Sequence, residues 1–161
     1  MDGLDLSSPA LALFSAGILG VASGILPTGL AEVAALGIGV AAGAPLALGM
    51  WLTFTVGHVA AKLPWYWLGA HADRVVHGGR AERWIARARG LLAVRPHYGT
   101  GLLFVSALLS VPPFHVAAIA AGLVRIRLLP FLALCLLGRL LRFGLLVGAP
   151  GLLRSLFGNG L

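Results

Sequence analysis

Apolar runs alternate with short turn signals along the chain, and the runs are of two lengths. Leu46–Leu68 and Leu128–Leu153 are long enough to cross a bilayer as helices, since a hydrocarbon core of ~30 Å takes about 20 apolar residues. Pro9–Leu26 and Leu30–Gly43 are shorter, and the turn signal Pro27-Thr28-Gly29 parts them. The run Gly101–Gly122 is cut by Pro112 and Pro113 into two arms of roughly ten residues, each reaching only about 15 Å as helix. Neither proline donates an N–H, and each turns its predecessor away from helical geometry. The pattern therefore predicts a re-entrant hairpin whose non-helical tip is held in protein or lines a wet cavity. A kinked spanning helix is the alternative. The first pair of runs reads as a similar hairpin, although Pro9–Leu26 is nearly long enough to cross if the bilayer thins; both readings stay open.

The hydrophilic region, about residues 70–97, breaks this pattern. It carries Arg74, Arg80, Arg83, Arg87, Arg89 and Arg95 against Asp73 and Glu82. Trp84, Ile85, Ala88, Leu91 and Leu92 recur at helical spacing, with Arg80, Arg83 and Arg87 on another face. That predicts an amphipathic helix on the membrane surface, its arginines touching lipid headgroups; an ordinary solvated connector is the alternative. Six arginines in one loop place it in the cytoplasm by the positive-inside rule. Arg125 and Arg127 follow the second hairpin and belong on the same side.

Composition agrees. The chain is 59% hydrophobic and 11% charged, with a mean hydropathy of +0.96, far from soluble norms. The net charge of +7 is better explained by membrane orientation and anionic headgroups than by nucleic acid. Asp2 and Asp5 precede the first basic residue, Lys62, so the basic start of a signal peptide is missing and the first apolar segment is expected to stay. Cys135 has no cysteine partner in the chain.

The two ends share punctuation. Pro27 and Pro112, Gly37 and Gly122, and Pro45 and Pro130 each stand 85 positions apart. In both halves a hairpin precedes a long helix, which predicts an inverted repeat of the kind transporters use around a midplane site. The expected fold is an all-α integral membrane protein with two re-entrant helical hairpins, each followed by a spanning helix. It forms a single membrane domain: one half at about 9–69, a basic cytoplasmic connector at about 70–97 and the other half at about 98–153.

Polar groups inside the apolar runs are the candidate chemistry. Glu32 is the acidic one, and at depth its carboxylate must take up a proton or find a cation. Arg139 and Arg142 share a helical face at i, i+3. Arginine suits an anionic headgroup because its charge is permanent and its fork can bind two oxygens. His58 and Lys62 stand at i, i+4, with Lys62 able to snorkel. His115 and Ser110 flank the second turn. The site predicted is Glu32, as proton carrier, with Arg139 and Arg142, while His58, Lys62, Ser110 and His115 are secondary; a structural ion pair is the competing reading. Pro27, Gly29, Pro112 and Pro113 form the hairpin turns. The histidines lack metal spacing, and no metal, cofactor or nucleophile–base pair is expected, which argues against an enzyme. Gly39-x-x-x-Gly43 and Gly144-x-x-x-Gly148 read as helix-packing motifs.

Three stretches, LPTGLAEV (26–33), HYGTGLLF (97–104) and AAGLVRIRLLPFLALCLLGRLLRFGLLV (120–147), resemble the DedA/VTT superfamily of SNARE-associated Golgi proteins, in particular its short bacterial members. The resemblance implies an inner-membrane protein with two facing hairpins, associated with moving lipids between leaflets. It carries Glu32 over as the acid of the first hairpin and Arg139 as the basic residue of the last helix. The chain departs from larger members in having no second acid between Glu32 and Asp73, and in having Leu109 and His115 where they tend to have arginines. The function expected is a lipid transporter for an anionic or polyprenyl-phosphate lipid. The alternatives are a non-transporting membrane organiser or partner-binding protein, and a small-ion or drug exporter. The oligomeric state is open.

Overall fold

The computed structural model describes residues 8–26, 29–72, 79, 83, 86–87, 90, 96–111 and 113–158. Its helices are α1 (Pro9–Ile25), α2 (Leu30–Ala41), α3 (Ala44–Ala60), α4 (Leu63–Ala70), α5 (Pro96–Leu109), α6 (Phe114–Leu123) and α7 (Leu128–Phe157), and no strand occurs among the described residues. Pro27, Pro112, Arg80 and the apolar positions of the expected amphipathic helix lie outside the described residues, whereas Arg83 and Arg87 are exposed.

Local chemistry sets the helix ends. Ser8 caps α1, its hydroxyl accepting from the Leu11 amide at 3.3 Å, and Pro9 follows where its missing N–H costs nothing. Gly29 precedes α2, and Pro113 precedes α6. Pro45 and Pro64 stand in the first turns of α3 and α4. The break that Pro64 imposes falls before it, at Ala61–Lys62, because a proline ring collides with the carbonyl four residues back. Helix α6 ends where the Ile126 amide returns to the Ala121 carbonyl at 3.0 Å, with Arg125 at φ 55°. Glycine is the usual residue in that left-handed position. Arg125→Gly is expected to raise stability by about 1 kcal/mol, measured as a higher unfolding temperature in detergent.

Two stretches are long and apolar enough to cross a membrane, Ala44–Ala70 (α3 and α4) and Leu128–Leu156. They are the two spans that the hydropathy pattern predicts. The shorter helices alternate with them as expected, except that α5 starts at Pro96, five residues before the apolar arm.

The chain divides into two compact units, one of Met1–Ala61 with Arg139–Leu161, the other of Lys62–Gly138. In the first unit α1 lies along α3, and a Cβ on Gly20 would collide with the Phe54 carbonyl. Ala16, Ala31, Ala35, Ile38, Ala47, Phe54 and Phe143 make its core, in which small residues let helix backbones approach closely. Of the two glycine motifs, Gly39 abuts the Val147 carbonyl and Gly144 the Trp51 ring, while Cβ atoms on Gly43 and Gly148 would meet nothing within 4 Å.

In the second unit α4 crosses α6, with Gly122 against the Tyr66 carbonyl and Gly69 against the Ile119 carbonyl. Tyr66 stacks on Phe131 at 4.7 Å between centroids and donates its hydroxyl to the Ile126 carbonyl. Gly37, matched to Gly122 by the 85-position offset, has no such neighbour.

Phe14, Leu129 and Leu145 are 66–78% exposed, while Thr55, His58, Lys62, Ser106 and Arg139 are at most 3% exposed. Apolar side chains outside and polar ones inside reverse the soluble pattern and suit a hydrocarbon solvent.

Candidate functional site

The first unit gathers the predicted site. Glu32 stands in the first turn of α2 and Arg142 near the middle of α7. Arg142 donates to the same carboxylate oxygen, Glu32 Oε1, from Nη2 at 2.8 Å and from Nε at 3.2 Å. Glu32 Oε2 accepts no hydrogen bond among the described residues. The two side chains are 30% and 23% exposed, so the pair is reachable rather than sealed in the core. A carboxylate held through one oxygen can take a proton on the other without first losing its partner. Once neutral it binds a guanidinium less strongly, since the Coulomb attraction between opposite charges is lost.

Arg139, one helical turn earlier, makes a different contact. It is buried, and its guanidinium lies over the Phe143 ring at 5.4 Å, a cation–π arrangement. The edge of the same ring meets His58, with centroids 5.2 Å apart. His58 Nδ1 lies 3.1 Å from the Ser23 hydroxyl, and that hydroxyl donates to the Gly20 carbonyl at 2.9 Å. Ser23 thus accepts the Nδ1 proton, which fixes the imidazole between α1 and α3. Ser23→Ala is expected to cost about 1–2 kcal/mol, because it strips a buried donor of its acceptor; chemical unfolding in detergent measures it.

Lys62, Ser110 and His115 belong to the second unit. Lys62 does not snorkel. The break at Ala61–Lys62 turns it inward, where it is 1% exposed with Nζ 3.0 Å from His115 Nε2. The helix is broken between His58 and Lys62, so their i, i+4 spacing does not by itself set them on one face. Ser110 closes α5 at φ 60°, its amide donating to the Ser106 carbonyl. Pro113 accepts from the Val116 and Ala117 amides, and Gly29 from that of Val33, so both act as helix starts.

Sequence reasoning missed Ser23, Phe143 and Phe114, whose ring lies 5.5 Å from Lys62 Nζ. Phe143 and Phe114 had one usable signal, since each adjoins a polar candidate. Ser23 had only its place in the small-residue run Gly20–Gly24. An apolar groove of about 810 Å³ runs between α1 and α3 along Leu13, Phe14, Ile18, Val21, Leu52 and Val56. Its one hydroxyl, on Thr53, bonds to the carbonyls of Gly49 and Met50. No cluster of His, Cys, Asp and Glu fit for a metal occurs among the described residues.

Helices with apolar exteriors and a charged pair held between short and long elements define an all-helical membrane protein. A family model for the VTT domain matches residues 19–149. The chain belongs to that family, the DedA and SNARE-associated Golgi proteins. No curated protein and no solved structure matches it.

Proposed function

We propose that this protein moves a lipid with an anionic headgroup, a polyprenyl phosphate being one such lipid, between membrane leaflets with proton coupling. The observation that carries the reading is the Glu32–Arg142 pair, in which both donations fall on Oε1. A proton on Oε2 weakens the pair and turns Arg142 toward a phosphate oxygen; loss of the proton draws Arg142 back to the carboxylate and expels the headgroup. Arg139, one turn away on the same helix, adds positive charge for the anion. The groove along α1 and α3 offers the tail a wall of hydrocarbon. Intramembrane ionisable groups are costly, which favours a use for this pair beyond packing.

The hairpins re-enter the membrane as an inverted repeat in this reading. The four short helices support it, being too short for the core or marginal, as does the likeness of the two units. Each unit combines two hairpin helices, the start of the long helix that follows them, and a segment from the end of the other long helix. The arginine-rich connector faces the cytoplasm of a bacterial inner membrane, by the positive-inside rule and the family resemblance. The reading is of a transporter, not an enzyme, whose partners are lipids.

The test is a leaflet-exchange assay on purified protein in liposomes, with fluorescent lipids of several headgroups. Faster exchange of phosphate-headgroup lipids is expected, and it should depend on an imposed pH gradient. A membrane organiser that moves no lipid is the second reading. The absence of another acid between Glu32 and Asp73 favours it, and it predicts no exchange with any headgroup.

A further inference from the structure

The second unit carries a pair of ionisable side chains that this mechanism leaves unused. Lys62 caps α4, and His115 lies in the first turn of α6; their nitrogens Nζ and Nε2 are 3.0 Å apart. The Phe114 ring lies 5.5 Å from Nζ, and Trp65 meets the His115 ring edge-on at 5.2 Å between centroids. An ammonium has three donors and no acceptor, and an imidazolium has donors on both ring nitrogens. A hydrogen bond at this distance therefore requires one lone pair. The simplest assignment is the Lys62 ammonium donating to neutral His115 at Nε2, with the ring's own proton on Nδ1. A further proton on Nε2 would remove the acceptor and leave two cations in contact. Like charges held this close, one of them buried, either part or admit an anion between them.

We propose that Lys62 and His115 form a proton-gated oxyanion site of the phosphate class. His115 takes one proton at Nε2, the Lys62–His115 bond opens, and both N–H groups donate to one anion. Release of the anion returns the proton and remakes the bond, so one proton accompanies each anion. No bond other than N–H is made or broken. The site rests on the transport reading only for the class of anion. Among the neighbouring helices, α4 also carries Tyr66, committed to the Ile126 carbonyl, and exposed His71, close to the Trp67 carbonyl. Helix α5 carries His97 and Tyr98 in its first turn, the unit's part of α7 carries buried Cys135, and none of α4, α5, α6 or that part of α7 contains Asp or Glu.

The test is ¹⁵N NMR of the His115 ring in the full chain, held at one pH in nanodiscs. One arm adds inorganic phosphate to discs of zwitterionic lipid; the other puts a phosphate-monoester lipid into the disc. The ring is expected to start as the Nδ1–H tautomer and to become imidazolium as the anion saturates. Conversion in the first arm identifies an aqueous anion, and conversion only in the second identifies a headgroup. By linkage, affinity tightens about tenfold per unit fall in pH while His115 is mostly neutral. In H115Q, which keeps an acceptor for Lys62 but cannot be protonated, that pH dependence vanishes. A ring that stays neutral in both arms, or an affinity in H115Q as pH-dependent as in the parent, overturns the site. Running E32Q alongside separates the two proposals. If the His115 response persists in E32Q, the site stands whatever becomes of exchange. If the ring is silent while E32Q still loses exchange, the site falls and the transport reading stands.

Discussion

Glu32→Gln is expected to bring lipid exchange down to the protein-free rate, a loss of at least about tenfold, while the protein still folds. The glutamine carbonyl can accept from Arg142 as Oε1 does, but it can neither gain nor lose a proton, so nothing remains to free the guanidinium and then recapture it. Loss of a charged partner costs about 1.5–3 kcal/mol of stability, which unfolding in detergent separates from the loss of exchange. Glu32→Asp, which keeps the charge on a shorter arm, should retain part of the exchange. Removing both partners, as E32Q with R142Q, should destabilise less than the two single changes together, because no lone charge is left behind. Full exchange in E32Q would reduce the pair to a structural brace.

Gly122→Leu should have the largest effect on folding. The Tyr66 carbonyl of α4 occupies the place a Cβ would take, and Gly69 makes the reciprocal contact on Ile119. Both contacts are with backbone, which cannot swing aside as a side-chain tip can. We expect a loss of more than about 3 kcal/mol, seen as proteolysis or aggregation in detergent at temperatures the parent survives. Gly37→Leu is the internal control. A Cβ there meets nothing within 4 Å, and leucine is the better helix former, so that variant should be at least as stable as the parent.

These residues also mark how far the sequence can be read. Run length against bilayer thickness is enough for the two spans, and proline and glycine punctuation for the helices between them. Glu32 points to a cation because an intramembrane acid has few alternatives, and Arg142 is that cation. The helical spacing of Arg139 and Arg142 leaves open which takes the carboxylate, because three residues separate them by most of a turn and packing on α2 decides. The sequence misleads at Lys62 because Pro64 puts the break ahead of itself. An i, i+4 spacing fixes a shared face only on an unbroken helix, and the helix breaks between His58 and Lys62. Helix α5 is longer than its apolar arm because Pro96 and His97 read as connector, although Pro96 is well placed to start a helix. The backbone crossings at Gly20 and Gly122 are not legible, since in a chain with 23 glycines none stands out by composition.

The most direct test of the central claim is exchange of a lipid phosphate in proteoliposomes bearing a pH gradient, with protein and protein-free vesicles side by side. The account predicts exchange well above the protein-free rate, faster for the phosphate lipid than for a zwitterionic one, and slowed when the gradient is collapsed. Exchange at the protein-free rate for every headgroup, gradient or none, would contradict it.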